Sequence, residues 1–179
     1  MSLAREFARM AAYNRWMNTR LYAAAAPFGE AALQADRGAF FGSLFATLQH
    51  IWQADVIWLK RFAGHPARFA TLDPVRAMPH PYTMHVPTHA TFAGLQAARA
   101  SLDDVIEAFC AELRDAHFKE AITYANRAGD SYRKPFGALL LHCFNHQVHH
   151  RGQATTLLHQ AGIDMGSTDL VSLVEDIHG

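Results

Sequence analysis

Apolar residues recur at helical spacing in four long runs, and the breaks between them differ in chemistry. In the first run, residues 3 to about 26, Leu3, Phe7, Met10, Ala11, Trp16, Met17, Leu21 and Tyr22 fall in roughly i, i+3, i+4 steps up to Pro27 and Gly29. The second, residues 39 to about 63, keeps that period through Phe41, Phe45, Leu48, Trp52, Val56 and Leu59 and stops at Gly64 and Pro66. The third, from about Thr91 to Phe118, sets Leu95, Leu102, Val105, Ile106, Phe109 and Leu113 on one side. Arg99, Asp103, Asp104, Glu107 and Arg114 fall mostly elsewhere. The fourth opens at Pro135, a residue suited to a first helical turn because the N–H it lacks has no partner there, and closes at Gly162. Four amphipathic helices in one chain predict an all-α four-helix bundle.

Two connections modify that picture. Residues 65–90 contain five prolines and four histidines, which predicts an irregular segment. At about 25 residues it is long against a median of roughly 5. At ~3.3 Å per residue it can run the ~38 Å of a helix of ~25 residues. Helices two and three are therefore free to lie side by side and parallel, joined by a crossover. Residues 120–135 alternate apolar and polar around Ala128, Gly129 and Asp130, which predicts a short hairpin or extended excursion before helix four.

A chain of 179 residues, half of them apolar, is sized for one core, and a single domain spanning residues 1–179 is expected. Lys plus Arg equals Asp plus Glu at 16 each, so the basic footprint of a nucleic-acid or anionic-membrane binder is missing. Arg5, Glu6 and Arg9 interrupt the first apolar run, which argues against a signal peptide or a membrane span and makes a cytoplasmic location the expectation. Cys110 and Cys143 are far apart with no CxxC spacing, and reduced thiols are expected.

Within helix four, "HCFNHQVHHRGQ" (142–153) concentrates four histidines in nine positions. With His142 at 0° on a helical wheel, Gln153 falls at about 20°, His146 at about 40°, Leu139 and Leu157 at about 60°, and His150 at about 80°. Leucines bracket the stripe, so it faces the bundle interior. His149, at about 340°, faces a neighbouring helix or the rim. Two imidazoles at i and i+4 suit two adjacent positions around one ion at about 2.1 Å. A third ligand has to come from another helix, and helix two offers His50, flanked by the small residues Ser43, Ala46, Thr47 and Ala54. Trp52 and Phe45 fill the other turn of that helix. Two readings follow: a metal site made by His50, His146 and His150, or a set of hydrogen-bonded core imidazoles.

Other metal chemistries fit less well. "HQVHH" departs from the HExxH pattern of zinc peptidases at Gln147, which cannot act as the general base. A carboxylate-bridged di-iron site needs Glu-x-x-His on two helices, and only Glu175 with His178 has that spacing.

The segments "YNRWMNTRLY", "LFATLQHIWQADVIWLKRF", "ITYANRAGDSYRKP" and above all "LLLHCFNHQVHHRGQATTLL" resemble the DinB branch of the DinB/YfiT-like superfamily of metal-dependent proteins. This resemblance covers nearly the whole chain. It implies an up-down-down-up bundle and a divalent metal held by His50, His146 and His150, with His142 and His149 as neighbours that do not ligate. It also implies a homodimer, and, from the wider superfamily, transfer or isomerisation of a small-molecule substrate with a low-molecular-weight thiol as co-substrate.

A three-histidine set leaves coordination positions open, as catalytic rather than closed structural sites do. Ligand type alone leaves zinc, nickel, iron(II) and cobalt equivalent. Gln153, Asn14 and Asn18 are candidates to orient ligands or substrate, or else form inter-helix hydrogen bonds. Arg151 is a candidate contact for an anionic substrate or a cap on a neighbouring chain, and Gly152 a point of close helix packing. The rival to an enzyme is a non-catalytic, metal-binding stress-response protein.

Overall fold

The computed structural model describes residues 2–81, 86–126 and 128–176, and helices dominate it. Helix α1, Leu3–Ala25, starts where Ser2 Oγ accepts the Arg5 amide hydrogen, relieving one of the N–H groups that a helix start leaves unpaired. It buries Phe7, Ala11, Asn14, Met17, Asn18 and Leu21, the predicted stripe with two asparagines in it. After Pro27 the chain does not simply break. A 3-10 turn leads into a short helix α2, Gly29–Gln34.

The helical period predicted from residue 39 is cut short. Gly38 and Gly42 have φ of 68° and 78°, values that side chains disfavour, and Ala39 bridges to Gly42 in a tight loop. Ser43 Oγ then accepts from the Ala46 amide at 3.1 Å and starts helix α3, Leu44–Phe62. Phe41, predicted on the helix stripe, therefore belongs to a loop that folds back over the bundle.

The crossover is more ordered than its prolines suggest. It contains a 3-10 turn and the short helix α4, Asp73–Ala77, and it buries Phe69, Leu72 and Val75 almost completely. Gln49 of α3 holds its far end, donating to the His89 carbonyl at 2.6 Å and accepting from the Thr88 and His89 amides. Helix α5, Phe92–Glu112, is capped by Thr91 and ends short of the predicted Phe118, where the chain winds into a 3-10 turn. Strands β1, Ala121–Ala125, and β2, Ser131–Pro135, form the expected hairpin, with Tyr124 opposite Tyr132. Helix α6, Phe136–Gln160, follows directly.

Helix α1 packs against α5 and α6, and α3 packs against the same two. The apolar interior is split. One cluster gathers Phe7, Val56, Phe62, Phe109, Phe136 and Phe144, and the other Leu21, Leu44, Leu48, Ile51, Leu95 and Leu157. A charged layer from all four long helices lies between them. Arg99 stands 2.5 Å from Asp55 and 2.9 Å from Asp103. Asp103 accepts from the Asn14 and Asn18 side-chain amides, and Asp55 from that of Gln147 at 2.8 Å. Arg151 donates to Asn14 and Gln147. Arg99 and Asp103, expected largely outside the apolar face, are thus 2% and 3% exposed. They tolerate burial because the Arg99 guanidinium meets two carboxylates that also accept from amide side chains.

Candidate metal centre

His50 projects from α3, and His146 and His150 project from successive turns of α6. Their Nε2 atoms form a nearly equilateral triangle: 3.2 Å from His50 to His146, 3.1 Å from His50 to His150, and 3.1 Å from His146 to His150. A ring nitrogen presents either one hydrogen or one lone pair, in the ring plane. Three of them in mutual contact therefore cannot all be satisfied by one another, and at least one pair sets like against like, hydrogen on hydrogen or lone pair on lone pair. A cation removes that conflict. Neighbouring ligands of one ion bound at about 2.1 Å stand roughly 3.0 to 3.4 Å apart between octahedral and tetrahedral angles, and the observed spacing lies in that window.

The surroundings disfavour charge on His146 and His150 and aim the latter. His150 Nδ1 donates to Gln153 Oε1 at 2.8 Å, since an amide oxygen only accepts, and that tautomer leaves the lone pair on Nε2. Burial, with repulsion from the other imidazoles added, lowers the His146 pKa to about 3. The His150 pKa is lowered too, by burial, although the bond to Gln153 opposes the shift. Gln153 in turn lies 3.3 Å from His149 Nε2, so the exposed His149 buttresses the residue that orients a donor.

The two sides of the triangle differ. Phe41 stacks on His50 with centroids 4.1 Å apart and meets His150 edge-on at 5.5 Å, closing one side with an apolar ring. On the other side, His146 forms part of the wall of a cavity of about 430 Å³, together with Ala54, Ile57, Trp58, Arg61 and His142. The crossover contributes His80 and Pro81, and the hairpin Ala125 and Asn126. The small residues expected beside His50 divide accordingly. Ala54 opens onto this cavity, while Ser43 and Ala46 line a separate one beyond Phe41. Thr47 is buried with its hydroxyl on the Ser43 carbonyl.

The profile of the DinB family matches residues 1–176. The chain belongs to the DinB family. Searches among curated proteins and among solved structures gave no match. In this DinB-family protein His50, His146 and His150 form a group whose donor atoms lie close enough together to hold one metal ion.

Other candidate residues take structural places. Asn14 and Asn18 bond Asp103, as the inter-helix reading of them required. Arg151 is 3% exposed within the charged layer, so it is neither a substrate contact nor a cap on another chain. Gly152 has open space where a Cβ would stand, so close packing is not what places glycine there. His142 is exposed and lies edge-on to Trp58 at 4.9 Å. His178, the partner of Glu175 in the di-iron spacing, lies outside the described residues. Helical periodicity put Phe41 on a helix stripe rather than in a covering loop, and it carries no sign of the places of Asp55 and Arg61. In the sequence, the loop around Phe41 is marked only by Gly38 and Gly42, both of which take positive φ.

Among the described residues, no helix is long and apolar enough to cross a membrane.

Proposed function

We propose that the chain is a metal-dependent enzyme in which His50, His146 and His150 hold a divalent ion, and that it transfers or isomerises a small molecule with a low-molecular-weight thiol as co-substrate. One observation carries this reading: the three-nitrogen triangle is closed by Phe41 on one side and borders a cavity through His146 on the other. A structural site needs no such opening. A divalent cation there would bring a thiol or water towards ionisation near neutral pH, or polarise a carbonyl. The chain itself supplies neutral imidazole donors, a Gln153 clamp on His150, an apolar cover over His50, and a cavity that admits a substrate beside His146.

Residue pairings support an up-down-down-up bundle within a single domain. Tyr22 meets Phe92, whereas Arg15 meets Glu107, so α1 and α5 run opposed. His50 meets His150 and Phe62 meets Phe136, so α3 and α6 run opposed. Asp55 meets Arg99 and Phe62 meets Phe109, so α3 and α5 run together, as the crossover permits. Leu141 and Val148, exposed on α6, give a homodimer a candidate face.

Elemental analysis tests the metal. The purified protein is expected to hold close to one divalent ion per chain and His50→Ala to hold almost none; equal metal in both refutes the ligand assignment. A panel of electrophiles with several cellular thiols tests the chemistry. Turnover that needs both metal and one thiol supports the enzyme, and no turnover by fully loaded protein leaves a metal-binding protein.

A further inference from the structure

Arg61 differs from the ion-pairing cations of this chain in what surrounds it. Its Cζ lies 4.4 Å from the Trp58 ring centroid and 4.6 Å from that of Tyr124, and the two rings meet at 64°. The guanidinium thus sits in an aromatic corner, on the wall of the same cavity that His146 lines. Among the described residues no carboxylate pairs with it, although Arg9, Arg15, Arg76 and Arg99 all have acidic partners. Partial burial lowers its pKa, as expected of a cation stripped of some water without a counter-charge. Helix-end electrostatics does not account for it. Lys60, in the same last turn of α3, already serves there and reaches outward to the Arg76 carbonyl.

Ala54, Ile57, Trp58 and Arg61 lie at i, i+3, i+4 and i+7 on one face of α3, so the wall between the histidines and Arg61 is largely apolar. The rings of His146, His142 and Trp58 follow one another at 6.1 and 4.9 Å, and the guanidinium comes next at 4.4 Å. Arg61, eleven residues after His50, therefore stands roughly 16 Å further along α3 at 1.5 Å per residue, the length of cavity wall that an occupant has to span. A planar fork of N–H donors at the end of an apolar slot matches a carboxylate at the end of an apolar body.

We propose that Arg61 is the anion-recognising residue of this cavity and selects small carboxylates with an apolar body whose other end reaches the histidine triangle. Only that last clause rests on the metal-enzyme reading.

The test uses the full chain, zinc-loaded and chelator-treated, at a pH above the imidazole range. Benzoate, 3-phenylpropionate and 5-phenylpentanoate are titrated against their carboxamides, with tryptophan fluorescence and calorimetry as readouts. At least one acid should bind about tenfold or more tightly than its amide, the range of a charge-assisted bond. Arg61→Met should bring acid and amide within about twofold without altering amide affinity or helical circular dichroism, and Arg61→Lys should retain part of the preference. Equal binding of acid and amide to the wild type, or a preference that survives Arg61→Met, overturns the proposal. So does failure of every acid to bind at millimolar concentration. A preference that disappears with the metal while Arg61 is intact places the carboxylate on the ion and also overturns it. A chain that takes up no zinc but keeps the Arg61-dependent preference sinks the metal reading alone.

Discussion

The charged layer around Arg99 and the imidazole triangle around His50 share helices, yet they treat their polar atoms in opposite ways. Asp55 follows His50 along α3 by little more than a turn, and Gln147 is the next residue after His146 in α6. In the layer, the Arg99 guanidinium faces two carboxylates, that of Arg151 faces the amide oxygens of Asn14 and Gln147, and amide groups from α1 and α6 also donate to the carboxylates. In the triangle, three rings turn the same kind of atom towards one point, where they cannot all satisfy one another. Closed pairing joins helices. Like atoms gathered at one point beside a cavity suit a site that takes something in from outside.

The sharpest way to break this comparison is to damage each cluster in turn. Arg99→Met leaves Asp55 and Asp103 buried without their cation, and a loss of about 3–5 kcal/mol is expected in urea unfolding. His50→Ala removes a neutral ring and relieves a repulsive contact, so the metal-free protein should lose far less while forfeiting its ion. If His50→Ala unfolds the metal-free protein and Arg99→Met does not, the roles assigned to the two clusters are reversed.

Gln153→Ala sharpens the comparison on the triangle's side. Without the acceptor at Nδ1, His150 loses the bond that fixes its tautomer, and zinc affinity should fall roughly 10- to 100-fold with little change in folding. Competition with a chromophoric chelator reads this directly; unchanged affinity would mean that Gln153 is packing only.

The smallest effect is a pH dependence. His146 and His150 have folded-state pKa values lowered by burial, to about 3 for His146. The unfolded chain therefore binds protons that the folded chain refuses as pH drops below about 6.5, and stability falls with acid rather than with base. Between pH 7.5 and 5.5 the metal-free protein should lose about 1–2 kcal/mol. A urea midpoint that does not move over that interval would falsify the neutral, buried state of these rings.

Much of the fold was legible because burial stripes repeat at helical spacing. Phe7, Leu21, Leu48, Leu59, Leu95, Ile106, Leu139 and Leu157 all sit in the interior. Boundaries were less legible. Helix α3 starts at Leu44 because Gly42 takes a positive φ, which no apolar period records. Likewise the crossover looked irregular from its prolines, yet Phe69, Leu72 and Val75 bind it to the core. The histidine triangle was readable in steps: His146 and His150 follow from the i, i+4 rule and His50 was the candidate helix two offered, but only the setting of α3 against α6 brings its Nε2 within 3.2 Å of theirs.

The sequence alone determined which residues can share a helix face, since 3.6 residues per turn is a local property of the backbone. It therefore determined the four helices, the hairpin alternation and the pairing of His146 with His150. Only the tertiary structure decided what each face meets. It turned Arg99 and Asp103 inward because opposite charges on neighbouring helices neutralise one another, made Phe41 a cover over His50, and left Arg61 at a cavity wall without a carboxylate. The contacts that set α3 against α5 and α6 join residues 44 to 100 positions apart, and no local pattern encodes them.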